Sequence, residues 1–224
     1  MQEREMSNNR ERILLGLPDE AFVPRRPGTS TMTKREVRAV TLAHLELRQD
    51  TVLWDIGSGT GSVAIEAARL ANRGHVYAVE CDPDALSALE TNCQRLRAAN
   101  VTVVAGQAPQ ALHGLPEPDA IFIGGSGGAL LPILEVAMQR LRAGGPLVVN
   151  LASFEHLAEV ADYVRQANWS LECTMVNIAR SQRILDITRF AALNPVFILT
   201  ARTQGIVERP IEARDSAGIE KEEG

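Results

Sequence analysis

Apolar residues recur along this chain with two periods that alternate. Nearly unbroken apolar runs of strand length lie at 52–56, 75–80, 101–105, 118–123 and 146–151. Such runs suit strands covered on both faces, as in a parallel sheet. Between them the apolar residues fall three and four apart, as on one face of a helix. Val63, Ala64, Ala67, Ala68 and Leu70 predict a helix over 62–70, and Ala85, Leu86, Leu89, Cys93 and Leu96 one over 83–98. A helix over 130–141 ends before Gly144 and Gly145, and Ser153 opens another through 167 with Leu157, Val160, Ala161 and Val164 inward. Ahead of the first strand, a helix runs from 34 to about 47; Thr33 is its expected N-cap and Glu36 completes a capping box. Beyond 167, residues 170–179 and 195–201 have strand character and are expected to pair antiparallel, with 180–194 a loop between them.

Five strands alternating with helices, then two more strands, give an α/β fold: a doubly wound, mostly parallel, seven-stranded Rossmann-like sheet whose last strand is antiparallel. Residues 16–28, with three prolines, read as an extended arm. The expected organisation is a flexible start over 1–15 with partial helix at 11–15, one domain over 16–204, and a charged, disordered tail over 205–224.

Composition narrows the function classes. The net charge of −5 sits at the ends: residues 1–20 carry five acids and three bases, residues 205–224 six acids and three bases, and the body is neutral. A neutral body lacks the basic field that gathers nucleic acid. No apolar run is long enough to span a bilayer, and the polar start MQEREMSNNRER is not a secretory signal. Cys81, Cys93 and Cys173 are widely spaced, which indicates neither a zinc site nor a disulfide framework. A reduced, cytoplasmic protein with no membrane and no nucleic-acid partner is expected.

The candidate chemistry lies where the strands end. Residues 51–61 read TVLWDIGSGTG: a buried strand closing on Asp55, then a turn through Gly57, Ser58, Gly59, Thr60 and Gly61 into a helix. Glycine lets backbone approach a ligand closely. A dinucleotide turn reads G-x-G-x-x-G; here the third glycine comes one residue early, as in motif I of the class I S-adenosylmethionine (SAM) methyltransferases, which this stretch resembles. The second strand ends in Glu80, an acid placed to accept from ribose hydroxyls. Asp82 serves equally as an N-cap. Gln107 and Ala108 follow the third strand, where an adenine ring lies in that layout; Gln107 stands where an acid is common. Gly124, Gly125, Ser126, Gly127 and Gly128 follow the fourth strand, bringing backbone against cofactor and substrate. Asn150, near the carboxyl end of the fifth, is expected to look into the site and bind substrate. No metal site is expected.

The match extends beyond motif I. GLPDEAF, MTKREVRAV, WDIGSGTGSVAIEAAR, VYAVE, DPDAL, IFIGGSGG, LVVN and ALNPVFI together resemble the CbiT family, the decarboxylating (cobalt-)precorrin-6B C15-methyltransferases of cobalamin biosynthesis, over roughly 16–202. The resemblance implies SAM as cofactor, held by Thr33, Gly57 to Gly61, Glu80 and Ala108. It implies C15 methylation of a tetrapyrrole with loss of the C12 acetate carboxyl, a homotetramer, and a separate partner enzyme for C5 methylation. A polycarboxylate substrate calls for cations, and the expected receivers are Arg25, Arg26, Lys34, Arg35 and Arg38 near the entrance, with Arg180, Arg183 and Arg189 in the late loop. The rival readings are a tRNA or protein methyltransferase of the same fold, an NAD dehydrogenase, and a non-catalytic SAM-binding subunit.

Overall fold

The computed structural model describes residues 15–26 and 32–203. The readings for the first residues and for the tail lie, apart from Leu15, outside the described residues. The strands are β1 (Val52–Ile56), β2 (His75–Glu80), β3 (Val101–Ala105), β4 (Ala120–Ile123), β5 (Leu147–Leu151), β6 (Trp169–Val176), β7 (Ala179–Ile184), β8 (Ile187–Ala192) and β9 (Val196–Thr203). The helices are α1 (Arg35–His44), α2 (Ser62–Leu70), α3 (Pro83–Arg95), α4 (Leu130–Arg140) and α5 (Phe154–Gln166). Seven strands form one sheet in the order β3-β2-β1-β4-β5-β9-β6, with β9 antiparallel to both neighbours. The order reverses at β1, which pairs in parallel with β2 on one side and β4 on the other. A crevice opens at such a reversal, beyond the carboxyl ends of the strands.

Side-chain alternation along the strands divides the core in two. Trp54, Ile56, Val79, Ile121, Ile123, Leu147 and Val149 face α4 and α5. Leu53, Val76, Ala78, Ala120, Phe122 and Val148 face α1, α2 and α3. Each large aliphatic side chain buried this way contributes about 1.5–3 kcal/mol relative to exposure, so the central strands are the fixed frame of the molecule.

Two expectations need correction. Helix α1 starts at Arg35, with Lys34 at the N-cap position and no side-chain cap from Thr33. The free N–H of Arg35 donates instead to Asp19 Oδ1 at 2.9 Å, a cap supplied from sixteen residues away. Glu36 turns from the capping box to Arg180. The second correction concerns 180–194, which is not a loop. β7 and β8 pair antiparallel from Ala179↔Ala192 to Ile184↔Ile187. The two-residue turn Leu185–Asp186 holds Leu185 at φ 55°, where turn signals favour Asn or Gly.

Candidate active site

The rim of the crevice is made largely of backbone. Gly57 has φ 69°, and a Cβ there would lie 2.3 Å from the carbonyl oxygen of Gly125. The β1–α2 turn and the glycine-rich loop after β4 therefore touch backbone to backbone, which accounts for the glycine at 57. Gly57 and Ser58 donate to Val79 O, and Gly124 donates to Ile56 O, so three strand ends are stitched together at this point. Gly61, at φ 78°, admits Leu89 where a Cβ would meet it at 2.2 Å.

Acids stand on both sides of the turn. Glu80 Oε2 accepts from Gly59 N at 2.8 Å, while Oε1 accepts from Cys81 N and Asp82 N at 2.8 and 2.9 Å. An ionised carboxylate offers about four lone-pair sites, so Glu80 keeps acceptor capacity toward the crevice. Asp55 is fully buried; Ser58 Oγ donates to its Oδ2 at 2.9 Å, and Oδ1 has no partner. Burial pushes its carboxyl up to about 7, against the opposing hydrogen bonds of Ser58 and Ala64 N–H. Asp82 is the N-cap of α3, accepting from Ala85 N, and it also pairs with Arg25.

Two adjoining cavities occupy the crevice. One, of about 190 Å³, is lined by Thr33, Ser58, Gly59, Thr60 and Gly124 together with Met32 and Phe122. The other, of about 250 Å³, is lined by Gln107, Ala108, Gly125, Ser126 and Gly127 with Cys81 and Asp82. Arg25, Gly57 and Glu80 border both. Among the described residues three buried side-chain polar atoms lack partners: Thr60 Oγ1 and Arg25 Nε, on residues that line the cavities, and Asp55 Oδ1, on a residue that lines neither. Orphaned buried polar groups carry a desolvation cost that a bound ligand relieves. An amphiphilic nucleoside with a charged tail matches this lining: an acceptor carboxylate and a small-residue slot on one side, the unpartnered Thr60 hydroxyl on the other.

The cations behave differently from expectation. Arg25 belongs to the crevice itself, paired with Asp82. Arg26 pairs with Asp84 on the surface. Arg38 is not an entrance residue: it is fully buried and paired with Glu66 and Asp19. Arg180 pairs with Glu36 and Asp19, whose hydrogen bonds raise its pKa and lower that of Glu36. With Pro18, Glu20, Arg35 and Ser181 these residues line a separate cavity of about 340 Å³. Arg183 points along the exposed hairpin, donating to Leu185 O at 3.2 Å, and Arg189 is exposed on β8. Asn150 does not reach the crevice cavities; its amide bonds with Thr41 Oγ1 at 2.9 Å. Sequence reasoning missed Met32, Val63 and Phe122 as lining residues, because apolar side chains on helices and strands read as core. Among the described residues, no group of three or more His, Cys, Asp or Glu side chains could hold a metal ion.

A family model for the precorrin methyltransferase domain matches residues 27–203. The chain belongs to the precorrin methyltransferase family. A probable cobalt-precorrin-6B C(15)-methyltransferase (decarboxylating) from Pyrobaculum calidifontis is 40% identical over 188 residues, covering 83% of this chain and 95% of that protein. The crystal structure of a precorrin-6Y C5,15-methyltransferase from Geobacter metallireducens GS-15 superposes with a TM-score of 0.81 at 37% identity, over 85% of this chain and all of that one. A Sinorhizobium precorrin-6Y C(5,15)-methyltransferase (decarboxylating) is 39% identical over 165 residues, which are 74% of this chain but 39% of that longer protein. The precorrin methyltransferase fold thus carries, on this chain, the crevice described above.

Proposed function

We propose that this chain is a SAM-dependent C15-methyltransferase of a precorrin-6B-type tetrapyrrole that also removes the carboxyl of the C12 acetate side chain, in cobalamin biosynthesis. The observation that carries the reading is the crevice between Gly57 and Glu80: buried orphan polar atoms, an acid with one acceptor site to spare and touching glycine turns, in a chain of this family. The cofactor-holding set is Thr33, Asp55, Gly57, Ser58, Gly59, Thr60, Gly61, Glu80, Gln107, Ala108 and Gly124. When bound, SAM supplies an electrophilic methyl group on a sulfonium.

The chain's own residues orient and exclude water. Glu80 fixes the ribose by accepting from a hydroxyl at its remaining acceptor site, and the Thr60 hydroxyl, which has no partner among the described residues, meets the charged tail. Gly125, Ser126 and Gly127 let the flat ring approach, because no side chain stands between it and the methyl donor. An electron pair of the conjugated ring forms the new C–C bond at C15 as the C–S bond breaks. In decarboxylation, the C–C electron pair passes into the ring and a proton replaces carbon dioxide. Neither step needs a protein nucleophile; alignment and a dry site supply the rate. Arg25 is the cation best placed at the mouth for a ring carboxylate, since its pairing with Asp82 is part-exposed.

The same reading assigns C5 methylation to a separate enzyme, supported by the C5,15 name of the longer Sinorhizobium relative. It makes the protein cytoplasmic; among the described residues no helix is long and apolar enough to cross a membrane. It also makes it a homotetramer, supported by the exposed apolar side chains of Ile184, Leu185, Ile187 and Phe190 on the hairpin. Light scattering should give four chains per particle; a monomer refutes that part. The test of the activity is incubation of the purified chain with SAM and a precorrin-6B-type substrate. The product should have gained one methyl and lost one carbon dioxide; an unchanged tetrapyrrole refutes the reading.

A further inference from the structure

Arg38 makes a set of bonds that a surface helix residue has no reason to make. Its Nε donates to Glu66 Oε1 at 2.8 Å, and both side chains are fully buried. Its Nη1 donates to Asp19 Oδ1 at 3.2 Å and to the carbonyl of Thr33 at 2.7 Å. Its Nη2 donates to the carbonyl of Leu17, and the guanidinium lies 4.9 Å from the centre of the Phe22 ring. Glu66 in turn accepts from Gly16 N and Leu17 N at 2.7 and 3.0 Å. One side chain therefore grips residues 17–22 and, separately, Thr33.

Those two segments flank the part of the chain that borders the cofactor crevice. Arg25, Met32 and Thr33 line it. Between Phe22 and Arg25, Val23 is bonded to Asn92 in both directions, at 2.7 and 3.1 Å, and the same Asn92 donates to Thr60 O at 2.9 Å. The arm is thus registered against the β1–α2 turn through Asn92, and its two ends are registered against each other through Arg38.

We propose that Arg38 is a positioning residue for the cofactor: it acts through the arm, holding Arg25 and Thr33 at the crevice before ligand arrives. The inference rests on the cofactor reading given above. The geometry needs a planar fork, because the four acceptors lie in different directions around it; a lysine ammonium cannot reproduce that pattern. A buried ion pair stabilises a fold no better than apolar packing of the same volume, so a fixed arm is what this one adds. Pre-ordering of a binding segment shows as affinity.

The test is SAH titration by calorimetry on the wild-type chain and on Arg38→Lys, which keeps the charge opposite Glu66 and removes the fork. SAH affinity should fall about tenfold and, because Arg25 also receives the ring carboxylate, KM for the tetrapyrrole should rise, while kcat at saturation of both stays within about twofold. Amide exchange over residues 17–23 should quicken in the variant without SAH. If Arg38→Lys does not fold, Asp19→Ala, which removes one of the four acceptors around Arg38, decides, with a loss of about threefold. Unchanged SAH affinity in a folded Arg38→Lys, or in Asp19→Ala where that variant decides, overturns the proposal. So does a parallel fall in kcat at saturation of both substrates, which marks general structural damage. A wild-type chain that binds no SAH overturns the cofactor reading and this inference together; wild-type binding with unaltered variants overturns this inference alone.

Discussion

Two regions border the proposed cofactor site, and they are built on different principles. The rim at the ends of β1, β2 and β4 is backbone against backbone: Gly57 on Gly125, with Gly59 N–H on Glu80. The arm is held by charges, in a line that runs on to the β7–β8 hairpin outside the crevice: Glu66, Arg38, Asp19, Arg180 and Glu36 form one continuous chain of ion pairs. Along that chain the exposure rises from fully buried at Arg38 and Glu66 to 37% at Arg180. A backbone-built rim tolerates little change anywhere. An ion-pair chain should be costly to cut at its buried end and nearly silent at its outer one.

Cutting the buried end is expected to have the largest effect. Arg38→Met strands the Glu66 carboxylate in the core and should lower the unfolding free energy by about 3–5 kcal/mol, read from urea midpoints. Next comes the pH dependence of Asp55. Its ordinary value of 3.8 is raised to about 7 in the folded chain, so the folded state holds the proton more tightly. That contribution is complete below the unfolded value and disappears as the pH climbs through the folded one. The stability of wild type relative to Asp55→Asn should therefore fall between about pH 4 and pH 7, by roughly 4 kcal/mol at most. A flat difference across that window would remove Asp55 as a buried titrating group.

Glu80→Gln keeps an acceptor but loses the charge that receives three backbone N–H groups. SAH affinity should drop about 10–100-fold, equivalent to about 1.5–3 kcal/mol for a hydrogen bond to a charged group, with a smaller change in melting temperature. The smallest effect belongs to Arg180→Ala at the exposed end, which should change stability by no more than about 1 kcal/mol. If Arg180→Ala proved as damaging as Arg38→Met, the graded picture of the ion-pair chain would be wrong.

The same contrast governs what the sequence discloses. The rim could be read because its signals are local: Asp55 and three glycines within seven residues, then an acid at the end of the next strand. Glycines at positive φ and apolar runs covered on both faces are requirements of the backbone itself, so they leave a pattern in the chain. The ion-pair chain leaves none. Arg180 meets Glu36 across 144 positions and Asp19 across 161. Without the fold, Arg38 reads as a substrate cation at the entrance, Arg180 as one in the late loop, and Glu36 as half of a capping box. The Thr33–Glu36 spacing gave a false local signal for the same reason: a distant carboxylate, Asp19, took the cap, and a distant guanidinium took Glu36. The β7–β8 hairpin escaped notice because its strands lack a buried face and Leu185 occupies a turn position that glycine or asparagine usually marks.

The central claim is that the crevice between Gly57 and Glu80 is a SAM site and that its backbone rim makes it one. Calorimetric titration with SAH, run in parallel with NAD on the wild-type chain and on Gly57→Ala, tests it most directly. The account predicts one SAH bound per wild-type chain, no heat with NAD, and loss of SAH binding in Gly57→Ala, where the new methyl must collide with Gly125. Absence of SAH binding by the wild type, binding of NAD, or an undiminished affinity in Gly57→Ala would contradict it.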